Sequence, residues 1–156
     1  MTNDLILITG IPGTGKTEIG EYLKEKHGYQ HINFEVLPIS DDLEQFKIFF
    51  QALPKSKQVV ITWGFGSSRH KNHIDYIVGL GYKHIWFDGN RVASFREFMK
   101  RENNDEQKEA AYHIQLYNIF KTEIIKKISA RIVNTFDENG NFKDKDKIVD
   151  EIFKDN

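Results

Sequence analysis

An apolar run, Asp4-Leu5-Ile6-Leu7-Ile8-Thr9, leads straight into Gly10-Ile11-Pro12-Gly13-Thr14-Gly15-Lys16-Thr17, which satisfies the pattern G-x-x-x-x-G-K-[ST] at every fixed position. A run of this kind reads as a strand buried on both faces of a parallel sheet. Beyond the loop, Glu18 to Lys26 carries Ile19, Tyr22 and Leu23 at helical spacing, and Gly28 stands where a helix C-cap belongs. Strand, glycine loop and helix follow in the order a phosphate-binding loop requires. A tight loop of this type turns backbone N–H groups inward around the terminal phosphates of a nucleotide, and the helix behind it adds the positive end of its dipole. Lys16 is then expected to reach the β and γ phosphates, and the Thr17 hydroxyl to take one place in an octahedral Mg²⁺ shell. The bland alternative is a glycine loop that binds nothing.

The chain has 156 residues, which suits one domain spanning 1–156 and leaves no room for a second independent core. With 22 Lys and Arg against 23 Asp and Glu, the charge balance argues against a non-specific nucleic-acid binder. Nucleic acid stays open as an end substrate, held by a local basic patch. The absence of cysteine excludes disulfide scaffolds and thiolate zinc sites. No segment approaches the length of a membrane span, and the first residues lack the basic region and cleavage site of a signal peptide. The expectation is a cytoplasmic protein without a membrane partner, as a monomer or small homo-oligomer.

Strands and helices alternate along the rest of the chain, which defines an α/β class. A second strand is expected over Tyr29–Phe34, and a helix follows Asp41-Asp42 with Ser40 as its N-cap. Gln58–Trp63 reads as a third strand ending in the loop Gly64-Phe65-Gly66-Ser67-Ser68. A helix over Arg69–Leu80 precedes a fourth strand, Lys83–Phe87, which ends at Asp88. Helical periodicity then covers Arg91–Arg101 and, after a polar break at Glu102–Gln107, a long helix over Lys108–Ser129. A fifth strand at Arg131–Thr135, a turn at Asp137-Glu138-Asn139-Gly140 and a helix from about Lys145 to Lys154 close the chain. Five parallel strands with right-handed crossovers put helices on both faces and ligands at the carboxyl ends of the strands.

With the glycine loop near the first residue and a small five-strand sheet behind it, the chain resembles the P-loop small-molecule and nucleotide kinases: adenylate, shikimate and gluconate kinases, and the kinase half of polynucleotide kinase. The resemblance implies a three-layer P-loop NTPase fold with strand order 2-3-1-4-5, Mg-ATP as phosphoryl donor, and a small acceptor. It also implies a mobile lid, about residues 96–110, after the fourth strand.

Three further segments carry the resemblance. His31-Ile32-Asn33-Phe34-Glu35 looks like the I-N-x-[DE] segment of polynucleotide kinase, which makes Glu35 the candidate general base and Asn33 its neighbour at the acceptor. The other reading of Glu35 is an exposed loop carboxylate. Trp63-Gly64-Phe65-Gly66 resembles the D-G-F-P-R segment of adenylate kinases, but Trp63 and Gly66 replace its Asp and Pro, so the usual magnesium-side carboxylate is missing there. Arg69 lies beyond that segment and is a candidate for holding an acceptor anion. Trp63 is either a stacking surface for the acceptor or a core residue. Trp86-Phe87-Asp88 with Arg96 and Lys100-Arg101 resembles the approach to the lid, where arginines neutralise charge on the transferring phosphoryl group. A solvated basic face paired with Glu97 and Glu102 would leave the same pattern.

Asp88 either holds a magnesium-bound water or caps the following helix, and capping is the expectation. Asn134 and Thr135 occupy the place where these kinases line the adenine pocket. His70 and His73 share helical spacing without a visible third metal ligand, and no N-K-x-D guanine-reading segment occurs. Tyr112, His113 and Gln115 face either the lid or solvent. The leading expectation is an ATP-dependent phosphotransferase in which Lys16, Glu35, Arg96 and Arg101 are catalytic. The competing expectation is a nucleotide-binding regulatory protein, or a plain ATPase, that kept the loop without efficient transfer.

Overall fold

Side chains alternate across a strand, and in β1 (Leu5–Gly10) both faces are sealed, Ile6 and Ile8 on one side and Leu7 on the other. The computed structural model describes residues 5–64, 70–101 and 106–154. Around β1 the chain places β2 (Gln30–Asn33), β3 (Val59–Thr62), β4 (Lys83–Asp88) and β5 (Arg131–Asn134) in one five-stranded sheet of order β2-β3-β1-β4-β5. Every pairing is parallel. The order and the class agree with the reading of the sequence.

Helices cover both faces because each strand buries both. On one side α1 (Lys16–His27) and α7 (Lys145–Phe153) bring Ile19, Leu23, Ile148 and Ile152 onto Ile6, Ile8, Val60 and Ile85. On the other, α2 (Leu43–Ala52), α3 (Lys71–Gly79), α5 (Glu106–Lys121) and α6 (Ile124–Lys127) bring Phe46, Phe50, Ile77, Ile119 and Ile124 onto Leu7, Ile61 and Trp86. Each such side chain, fully buried, contributes about 1.5–3 kcal/mol. Among the described residues no helix is long and apolar enough to cross a membrane.

The ends of the elements show where local chemistry decides. α1 stops at Gly28, whose φ of 75° lets the N–H of Tyr29 turn back to the Leu23 carbonyl at 3.2 Å. α2 starts two residues later than expected: Asp42, not Ser40, is the N-cap, accepting from the Glu44 N–H at 3.1 Å. Ser40 instead accepts the N–H of Asp42 at 3.1 Å and shapes the turn before the helix. The second strand is shorter than its apolar pattern, because the Asn33 side chain accepts the N–H of Glu35 at 3.0 Å and starts a 3₁₀ turn, Phe34–Val36. The long helix expected over Lys108–Ser129 is divided. Thr122 Oγ1 bonds back to the Asn118 carbonyl at 2.7 Å, and Glu123 adopts φ 52°, which turns Ile124 into the core before α6. A helix of ten residues, α4 (Arg91–Lys100), follows β4.

Two histidines sit inside this framework. His84 on β4 is buried with Nε2 2.9 Å from Thr9 Oγ1, and burial pushes its pKa down to about 4. His31 on β2, 2.7 Å from Thr62 Oγ1, is also held below its ordinary value, first by burial. A group whose folded pKa is depressed contributes stability above its unfolded pKa, near 6.5, and that contribution is lost as pH falls through the folded value. From neutral pH to below 4 the unfolding free energy should therefore fall by up to roughly 3 kcal/mol on account of His84 alone. Urea midpoints for wild type and His84→Gln across this window check it: the variant should show the flatter decline, and identical slopes would assign the loss to other groups.

Candidate active site

The loop between β1 and α1 is pressed against its surroundings so closely that only glycine fits at its turning points. Gly13 has φ 80°, and a Cβ there would lie 2.0 Å from the Ser94 carbonyl oxygen of α4. Gly15, at φ 85°, would place a Cβ 2.5 Å from the ring of Phe142. The Ile11 N–H donates to the Phe87 carbonyl at 3.0 Å, and the Thr14 hydroxyl donates to the Ile11 carbonyl at 2.6 Å, so the loop is fixed at both ends. Gly10, Ile11, Pro12, Gly13, Thr14, Gly15, Lys16 and Thr17 thus form a preshaped cradle at the N-terminus of α1. Lys16 is buried and folds over it, with Nζ 2.9 Å from the Ile11 carbonyl. Desolvation lowers its pKa to about 7, the Glu35 carboxylate opposes that fall, and the Arg101 guanidinium adds to it.

Beside the cradle lies a cavity of about 560 Å³ that brings together Lys16, Thr17, Asn33, Glu35, Trp63 and Arg101. These come from α1, the end of β2, the end of β3 and the end of α4, all at the carboxyl edge of the sheet. The 3₁₀ turn after β2 is what swings the exposed Glu35 over this edge. Its carboxylate lies across Gly64, where an added Cβ would be 2.0 Å from Oε1. Arg101, at the C-terminal end of α4, also lines the two neighbouring cavities of about 290 and 440 Å³ on the far side of the loop.

Other expected residues stand apart. The Trp63 indole is buried against Phe46 (centroids 6.1 Å, 16°) and His70 (4.8 Å, 39°), and it also lines the cavity. Arg96 points to the segment after β5, donating to the Gly140 carbonyl at 2.7 Å with Glu97 3.7 Å from its Nε. Asp88 is not a cap: its Oδ1 accepts from Arg91 and from the Gly89 N–H at 2.6 and 2.7 Å, while Asn90 caps α4 through the Ala93 N–H at 3.0 Å. Asn134 and Thr135 brace the start of the post-β5 turn, with the Asn134 amide oxygen accepting from the Phe136 N–H and the Thr135 carbonyl from the Lys143 N–H. Arg69, with Phe65 and Gly66, lies outside the described residues.

The cavity also contains residues whose sequence signal was weak. His70, oriented by Asp41 Oδ1 at 3.1 Å, lines it from the position just before α3, and Gln115 faces it from α5. The signal for His70 was its place at the carboxyl edge of a strand, directly after a glycine loop. Phe142, against Gly15, was readable only as the second aromatic flanking the Asp137–Gly140 turn.

Among the described residues no three His, Asp or Glu side chains gather as a metal-holding group. Magnesium carried in on nucleotide phosphates needs few protein oxygens. The Thr17 hydroxyl position, at the first turn of α1 and on the cavity wall, fits that requirement.

A glycine loop between the first strand and the first helix of a parallel sheet ordered 2-3-1-4-5 is the architecture expected from the sequence. Solved structures agree. A gluconokinase from Sinorhizobium meliloti 1021 superposes with a TM-score of 0.60 at 14% identity, covering 98% of this chain and 91% of that one. A shikimate kinase from Bacteroides thetaiotaomicron gives 0.56 at 15% identity over 94% and 92%. A sugar kinase from Janibacter sp. HTCC2649 gives 0.52 at 11% identity over 95% and 91%. No family model and no curated protein matches the sequence. The chain shares its fold with these P-loop small-molecule kinases; at such identities the likeness extends to the fold alone.

Proposed function

We propose that the chain is an ATP-dependent phosphotransferase that moves the γ-phosphoryl group of Mg-ATP to a hydroxyl, or a phosphate, of a small acceptor. The observation that carries this reading is one cavity lined at once by Lys16 and Thr17 from the loop, by the Glu35 carboxylate, and by Arg101. Phosphoryl transfer needs those parts: a cradle for the donor, a carboxylate on the nucleophile side, and a cation where charge develops.

Lys16 and the loop amides hold the β and γ phosphates, and the Thr17 hydroxyl supplies a protein oxygen to the metal. A metal held there would supply charge neutralisation. Glu35 accepts the proton of the acceptor hydroxyl as its oxygen bonds to the γ-phosphorus; the bond from that phosphorus to the bridging oxygen breaks, and ADP leaves. Arg101 stands where it can meet the charge on the transferred group from either side of the loop. Acceptor selection falls to Asn33, Trp63 and Arg69, with a nucleic-acid 5′ end among the candidate acceptors.

The test is ³¹P NMR of the protein with Mg-ATP and pooled nucleoside monophosphates, nucleosides, sugar acids and 5′-hydroxyl oligonucleotides. A new phosphoester signal that disappears in Lys16→Ala is the expected result. Tight ATP binding with neither phosphoester nor ADP formed would overturn the reading in favour of a regulatory nucleotide binder, which Trp63 in place of the strand-end carboxylate would suit.

A further inference from the structure

Between β5 and α7 the chain makes a short hairpin that no part of the scheme above uses. Phe136 and Phe142 bridge antiparallel across it, with ring centroids 5.7 Å apart at 80°. Asp137 organises its tip, its carboxylate oxygen accepting the N–H groups of Asn139 and Asn141 at 2.9 and 3.0 Å. This hairpin touches its neighbours at four places. The Phe136 ring lies over Gly89 at the entry to α4, within 2.6 Å of where a Cβ would be. Gly140 sits against Ala93 of α4, its virtual Cβ 3.8 Å from the alanine methyl. Arg96, one turn further along α4, donates to the Gly140 carbonyl at 2.7 Å. Phe142 closes over Gly15 of the phosphate loop and lines the cavity of about 290 Å³ with Gly13, Glu97 and Arg101.

Resting on the nucleotide-binding part of the proposed function, we propose that Arg96 is a positioning residue, a strut that ties α4 to this hairpin and so sets Phe142 as the wall against which the nucleoside half of the donor packs. Three observations support the strut over a direct role at the phosphates. The guanidinium is directed at a backbone carbonyl of the hairpin. Its second neighbour, Glu97, is a carboxylate, which makes the local field less favourable to a phosphate. And α4 is itself pressed against the loop, with the Ser94 carbonyl and Phe98 packed on Gly13, so a tie from α4 to the hairpin brackets the loop from two sides. An aromatic wall held in this way recognises a flat base by its face and is indifferent to the phosphates.

The experiment compares two probes by calorimetry, Mg-ATP and magnesium tripolyphosphate, against wild type, Arg96→Ala, Arg96→Lys and Phe142→Ala. Tripolyphosphate carries the phosphates without the nucleoside. ATP affinity should fall roughly tenfold in Arg96→Ala and in Phe142→Ala. Tripolyphosphate affinity should stay at the wild-type value in both, and Arg96→Lys, which can still donate to Gly140, should recover most of the loss. An equal loss for both probes in Arg96→Ala would place Arg96 on the phosphates and overturn the proposal. Unchanged affinity for both probes would overturn it as well. Neither readout depends on phosphoryl transfer, so a protein that binds ATP in this pattern without forming a phosphoester would refute the kinase reading and leave this one standing.

Discussion

Lys16→Ala should abolish phosphoryl transfer, lowering turnover by roughly a thousandfold or more, while the far-UV spectrum and the unfolding transition remain those of a folded protein. The size follows from what the residue does: its ammonium lies within the loop whose N–H groups are expected to hold the β and γ phosphates, and it is buried, so its charge is poorly screened. The fold should survive because the lysine is an electrostatic cost to the empty protein, as the lowering of its pKa to about 7 records. A second signature accompanies the first. At and above neutral pH the free protein holds a substantial fraction of Lys16 unprotonated, and phosphates favour the ammonium form. ATP binding should therefore take up protons from about pH 7 upward. Calorimetry in buffers of different ionisation enthalpy reads that uptake, which should vanish in Lys16→Ala. Full turnover in the variant would sink the scheme.

Glu35→Gln should reduce kcat by roughly 10²–10⁴-fold with little change in the KM for ATP, since the amide keeps the shape and loses the base. Gly64→Ala should act in the same direction through a different cause. The new methyl would occupy the space of Oε1, and the carboxylate would have to leave its seat. Steady-state kinetics with the acceptor found by NMR checks both, and unreduced kcat in Glu35→Gln would remove Glu35 from the chemistry. The pair separates the group from its position: loss in both variants with ATP affinity intact would mean the carboxylate works only from its place over Gly64.

The parts of the fold that were legible before the structure were those written in short-range pattern. The strand–loop–helix around Lys16 follows from eight consecutive residues and the apolar run ahead of them, and the α/β alternation follows from period and punctuation. What escaped was set by single side chains competing with the backbone. Thr122 bonding to the Asn118 carbonyl ends a helix whose apolar periodicity continues past it. Asn33 captures the Glu35 N–H and ends a strand whose composition continues too. At the site, Asn33, Glu35, Trp63 and Arg101 were named from short segments of sequence and line the cavity with the loop, while His70, which lines it too, carried only a weak signal. Arg96 and Arg101 look alike in sequence on one helix, yet the first reaches the hairpin and the second the cavities, a difference decided by Gly140, forty-four positions away. Phe142 gave no signal for the site, because its place there comes from its contact with Gly15, far away in sequence.

The placing of Trp63 against Phe46 and His70 has a practical side. The protein has two tryptophans, and the other, Trp86, is wholly enclosed in the core. Excitation at the red edge therefore reports from one indole that is indifferent to events at the surface and from one that lines the cavity beside the loop. The molecule carries its own optical reporter on the wall of this cavity, and unlabelled compounds can be screened against it by emission alone.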